Sequence, residues 1–199
     1  DVVKASVFAH RAPARVEGQG MPLLMMHICL FETHLDILEG KYEAAAGKLP
    51  ILLQDARQAR CDIYIAASRF GQAHVALMTG DAAKAVEALR EALAIGARWN
   101  YGHLFLYAAP EAESLLCAQA LQADIDSGHV RRLIAARGLL PPWHGVELWP
   151  WPIRVFSLGG FRLVRADEVV RQSGKPQKRP LDLLKALVAQ GRAGAPSLG

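Results

Sequence analysis

The 199-residue sequence has three cysteines, Cys29, Cys61 and Cys117, scattered without a CxxC pair. So sparse and odd a count argues against a disulfide framework or a cysteine zinc site and fits reduced thiols in a cytoplasmic protein. No secretory leader is recognisable, and the chain opens on Asp1 rather than Met, as expected of a piece with sequence upstream. Long apolar runs are also missing. The longest, Met21–Phe31 (MPLLMMHICLF), includes a histidine and falls short of the roughly 20 residues that cross a bilayer. No membrane partner is expected. Nor is there a GxSxG, HExxH or GxGxxG signature. The run GKYEAAAGK (Gly40–Lys48) has its glycines seven positions apart, and Leu49 stands where a phosphate-binding loop needs Ser or Thr. A helix is expected there. His27 and His34 would lie two turns apart on a helix, too far for joint metal ligation without a third element, and His27 and Cys29 read as core or interhelix residues. With no catalytic constellation, cofactor site or metal site visible, the expectation is a protein that is not an enzyme.

Charge is unevenly spread. Residues 1–150 carry 14 Lys and Arg against 16 Asp and Glu, while residues 151–199 carry 9 against 3. A terminal segment this basic points to an acidic partner, nucleic acid first among them.

The first part is rich in Ala and Leu with helical periodicity. In Gly80–Gly96, Asp81 is a natural N-cap, and Ala82, Ala85, Val86, Leu89, Ala92 and Leu93 form one apolar face. Gly96 is the expected stop. Asp62–Gly80 reads as the preceding helix, which makes Thr79-Gly80-Asp81 a tight turn. Forty residues earlier, Phe31–Leu49 repeats the arrangement, with a helix ending near Gly40 and another starting around Tyr42; Pro50 is expected to kink or break it. A third pair is expected over Pro110–Pro142. Pro110 opens it, Glu111 and Glu113 suit the helix N-terminus, and its first helix stops near Gly128. Asp124 and Asp126 fit a C-terminal helix turn. The Gly80-Asp81 turn with Ala85 and Ala92 resembles the second half of a tetratricopeptide (TPR) repeat, although Arg69 and Gln72 stand where that family has large apolar residues. Residues 1–140 are therefore expected to form a TPR-like α-solenoid of antiparallel helix pairs that senses a ligand or partner.

Residues 141–152 (PPWHGVELWPWP) hold four prolines and three tryptophans, a stiff connector in which Trp143, Trp149 and Trp151 pack against both neighbours. Beyond it, Ile153–Leu158 and Phe161–Arg165 flank Gly159-Gly160 as a β-hairpin with a two-residue turn, and a short strand is expected around Glu168–Arg171. Pro180 and Asp182 open a final helix, Leu181, Leu184, Leu187 and Val188 form its apolar face, and Gly191 ends it.

Residues 153–192 resemble the opening of the OmpR-like winged helix-turn-helix of bacterial transcriptional activators, a class that includes the Streptomyces antibiotic regulatory proteins. The matching residues are Leu158, Gly159 and Phe161 in the hairpin, then Lys175, Pro176 and Arg179 leading to Leu183, Leu184 and Leu187. With the helical repeats upstream, the whole chain resembles large MalT-like regulators. The resemblance implies that residues 153–199 are a small incomplete α+β module, the start of a DNA-binding domain. Its second helix, recognition helix and wing would follow Gly199. It also implies an ATP-binding switch domain upstream, no cofactor within this chain, a small-molecule inducer or protein on the repeats, self-association, and DNA as the partner of the complete terminal domain. Lys175, Lys178, Arg179 and Lys185 would touch the phosphate backbone only, which positions a protein without specifying sequence. The competing expectations are a helical-repeat interaction scaffold whose hairpin is a cap, or a helical regulatory segment of a larger enzyme.

Overall fold

The computed structural model describes residues 21–103, 109–143, 146, 148–157, 160–165, 168–170 and 178–190, and in the last helix the side chains of 182–188. The chain divides into two compact units, Asp1–Trp149 and Pro150–Gly199. The described residues are mainly helical, with one small antiparallel sheet.

The first unit contains α1 (Pro22–Leu38), α2 (Tyr42–Gln58), α3 (Asp62–Met78), α4 (Ala82–Trp99), α5 (Pro110–Gln122) and α6 (Ser127–Arg137). Three-residue links join α1 to α2, α2 to α3 and α3 to α4, so these helices run antiparallel. Each link closes in the same way. One residue takes positive φ (Gly40 at 74°, Arg60 at 52°, Gly80 at 84°), and the next N–H donates to a carbonyl five residues back. The bonds are Lys41 to Asp36 at 2.7 Å, Cys61 to Ala56 at 2.9 Å and Asp81 to Ala76 at 2.8 Å. This closure satisfies carbonyls that the ending helix leaves unpaired. Asp124, φ 48°, with the Ile125 to Ala120 bond ends α5 likewise.

Three expected boundaries are corrected. Pro50 neither ends nor divides α2, which runs continuously from Tyr42 to Gln58. An interior proline costs a helix ~3 kcal/mol, and the buried face of Ala45, Leu49, Leu52, Leu53 and Ala56 holds α2 against its neighbours despite it. Gly96 does not stop α4, which continues to Trp99 and ends at Asn100 in the left-handed region. Gly96 is instead a close-packing residue, since a Cβ there would lie 3.2 Å from His129 Nε2. Finally, α5 ends at Gln122, and Gly128 lies inside α6, which Asp126 caps by accepting from the His129 N–H at 3.3 Å.

The odd helices α1, α3 and α5 pack in succession, whereas α2 and α4 both pack on α3 without packing on each other. This order is that of a helical repeat built from hairpins. The core between them includes Leu30, Leu49, Leu52, Phe70, Leu89 and Leu93. Small residues bring the helices close: a Cβ on Gly71 of α3 would fall 2.6 Å from Leu49 Cδ2 of α2.

The second unit has β1 (Ile153–Phe156), β2 (Arg162–Arg165), β3 (Glu168–Val169) and α7 (Lys178–Gln190). The strands form an antiparallel sheet in the order β1-β2-β3. Phe156 pairs with Arg162, a register that does not fit the expected two-residue Gly-Gly turn; Leu158 and Gly159 themselves lie outside the described residues. Arg162 stacks on the ring of Phe156 at 4.4 Å, a cation–π contact between these paired positions. The helix α7 starts at Lys178, with Pro180 in its first turn. Leu184 and Val188 are half-buried but Leu187 is exposed, a correction to the expected apolar face; the Leu181 side chain and Gly191 lie outside the described residues.

Candidate functional site

Among the residues expected to meet DNA, Lys175 lies outside the described residues. Lys178 and Arg179 begin α7, and their side chains are likewise outside the described residues. Lys185 is exposed, with its ammonium 5.4 Å from the centre of the Phe161 ring. Phe161, Lys185, Ser157 and Val188 border a hollow of about 310 Å³. The aromatic residues near the junction part ways. Trp149 is 3% exposed, Trp143 is 43% exposed, and Trp151 is half-buried.

A second candidate was not foreseen as a site. Because α2 and α4 flank α3 without their backbones packing on each other, a groove of about 430 Å³ opens between them. Its base is α3, with Arg69, Gln72, Val75, Ala76 and Thr79. One wall is Ala46 and Leu49 of α2; the other is Asp81, Lys84, Glu87 and Ala88 of the α4 end. Apolar and polar side chains thus alternate along the groove, a mixed lining that can both bury part of a small ligand and orient it.

The charges around the groove are ordered. Glu91 of α4 accepts from Arg57 of α2 at 2.8 Å and from Arg69 of α3 at 2.5 Å. Arg69 also donates to Gln72 Oε1 at 2.9 Å. Burial pushes the Glu91 carboxyl up, but the hydrogen bonds from Arg57 and Arg69 outweigh it and hold the group below the usual carboxylate range. Glu91 is therefore ionised at neutral pH, and two guanidinium groups share its single charge. One positive charge is left over. At the other end Asp81 pairs with Lys84 at 2.7 Å.

His27 Nδ1 lies 3.0 Å from the Tyr64 hydroxyl, an interhelix bond between α1 and α3. No group of His, Cys, Asp and Glu suited to a metal is found among the described residues. No described helix is long and apolar enough to cross a membrane.

A different polar pair closes the far end of the unit. Glu113 in the first turn of α5 is buried, and its Oε2 accepts from Arg137 Nε in the last turn of α6 at 3.0 Å. Next to it along α5, burial and the Glu113 charge push the Cys117 thiol up to about 12, so this thiol is unreactive.

The only sequence signal for the groove was the pair of polar residues, Arg69 and Gln72, at positions where a TPR-like repeat has large apolar ones. Its other partners, Arg57 and Glu91, carried no signal of their own. No family, no curated protein and no solved structure matches the chain.

Proposed function

We propose that this chain is part of a cytoplasmic bacterial transcription regulator of the MalT-like type. In it the helical unit receives a small molecule or protein, and the second unit begins the DNA-binding domain. The observation that carries the reading is the second unit's order: a three-stranded antiparallel sheet, then a helix, with the basic surplus of the chain gathered there. A sheet leading into a first helix is how the winged helix-turn-helix of that class opens. The uncovered side chains of Leu183 and Leu187, 62% and 57% exposed, suit a first helix whose apolar stripe takes further helices. Lys178, Arg179 and Lys185 then supply phosphate contacts, and base readout belongs to a helix or ribbon placed in a groove. Occupancy of the helical unit would change self-association and so the number of DNA-binding domains presented together.

The test is DNA binding by the intact protein that carries this chain, measured against salt. The logarithm of affinity should fall linearly with the logarithm of salt, and Lys178→Gln or Lys185→Gln should each reduce the slope by about 1. Absence of binding at low salt, or an affinity indifferent to salt, overturns the proposal.

A further inference from the structure

The groove over α3 offers more than volume. Arg69, which lines it, shares Glu91 with Arg57, so this three-residue cluster carries one uncompensated positive charge. One helical turn back along α4, Glu87 is exposed on the wall and has no ion-pair partner among the described residues. Glu87 and Glu91 are four positions apart, about 6 Å along the helix axis. The same groove presents the apolar side chains of Leu49, Val75, Ala76 and Ala88. A plain organic anion would satisfy the guanidinium end and meet repulsion at Glu87. An uncharged ligand would use neither end. A zwitterion uses both. Extended peptide spans about 3.3–3.6 Å per residue, so a ligand of one or two residues has about the length of that helical turn.

We infer that this groove binds a small apolar zwitterion, an apolar amino acid or dipeptide, with its carboxylate at Arg69 and its ammonium at Glu87. The ligand's side chains lie on the floor. Gln72 lines the groove, and with its oxygen taken by Arg69 its amide nitrogen is the donor it can offer the ligand. This inference rests on the reading of the helical unit as the receiving part, and it names the class of molecule received.

The experiment titrates the chain with leucine, leucyl-leucine, N-acetyl-leucyl-leucine, leucyl-leucine amide and octanoate, following backbone amide shifts of Gln72, Ala76 and Ala88. Leucine or leucyl-leucine should shift these amides, and the better of the two sets the ligand length. Acetylation or amidation should each weaken leucyl-leucine binding about tenfold or more, the loss of one charge-assisted hydrogen bond. Glu87→Gln lies on the surface, so the fold is kept. It should erase the difference between the free and acetylated dipeptides, while octanoate gains. Ala46→Leu, also at an exposed position, should crowd the groove and weaken every ligand. Equal binding of free and blocked dipeptides, octanoate binding as well as leucyl-leucine, or shifts elsewhere than the groove overturn the inference. So does no shift with any ligand at about 10 mM, well above a Kd of 1 mM. The salt titration of DNA binding uses residues of the second unit alone, so either result can fail while the other stands.

Discussion

Breaking the Glu113–Arg137 pair from its two sides should have very unequal costs. Glu113 is 1% exposed, and only one of its oxygens is satisfied; Oε1 has no hydrogen-bond partner. Arg137 keeps 41% of its side chain in solvent. In Arg137→Met the carboxylate stays buried and loses its one partner, a mechanism that costs about 3–5 kcal/mol. The guanidinium is half hydrated to begin with, so the lower end, about 3 kcal/mol, is expected. That is a large share of the ~5–15 kcal/mol that holds a domain together. In Glu113→Leu the buried charge itself is removed at similar volume, and Arg137 turns fully to water. Stability should then stay within about 1 kcal/mol of the parent, on either side. The double variant should recover most of the loss seen in Arg137→Met, giving a coupling of about 2 kcal/mol. Urea unfolding followed by helical circular dichroism measures all four proteins. If Glu113→Leu costs more than Arg137→Met, or if the two losses simply add, the pair is not held by this asymmetry.

Two further outcomes follow from the same helices. His129 is 2% exposed with neither ring nitrogen bonded; burial lowers its pKa, Asp126 opposes the shift and Arg132 adds to it. His74 is lowered too, by burial and then by His34. A histidine depressed in the folded state binds its proton more readily when unfolded, so stability is held above about pH 6.5 and lost as pH falls below it. Each group contributes a slope of up to about 1.4 kcal/mol per pH unit, and His129→Leu should flatten the curve of urea midpoint against pH. A midpoint that does not fall between about pH 7 and pH 5 would count against neutral buried histidines. The helix links give a second test. A Cβ on Gly80 would meet nothing within 4 Å, so Gly80→Ala isolates the cost of φ 84° and should lower stability by about 1–2 kcal/mol. Arg60 fills the equivalent place at φ 52°, and Arg60→Gly should be neutral or stabilise by up to about 1 kcal/mol, read by thermal melts.

Those links also explain what could be read in advance. Gly40 and Gly80 announced two turns because glycine is the residue that adopts positive φ without strain. The turn between them was silent, since Arg60 takes the same conformation and nothing about an arginine signals it. Periodicity placed α4 correctly because its small apolar residues recur strictly, but it misjudged the end at Gly96. There the glycine serves a neighbour: His129, 33 positions later, needs the space a Cβ would fill. Pro50 misled for a related reason, as its local penalty is outweighed by a buried face whose partners lie on other helices. In the hairpin, Gly159-Gly160 suggested a tight turn, yet the register follows from cross-strand pairs such as Phe156 with Arg162.

The groove shows the same division most clearly. Arg69 and Gln72 were visible as polar residues on a helix face expected to be apolar, and a local rule broken without local reason marks a place where another requirement applies. What that requirement is depends on Glu91, 22 residues away, and on Arg57, 34 residues from Glu91. Only packing α2 and α4 onto α3 brings the three together. An arginine on α3 could have been a solvated surface charge. With two guanidinium groups on one carboxylate it becomes the positive end of a groove, and with Glu87 one turn away the groove acquires a direction. Glu87 is exposed and makes no ion pair among the described residues. Removing Glu87 should therefore leave stability almost unchanged while altering what the groove accepts.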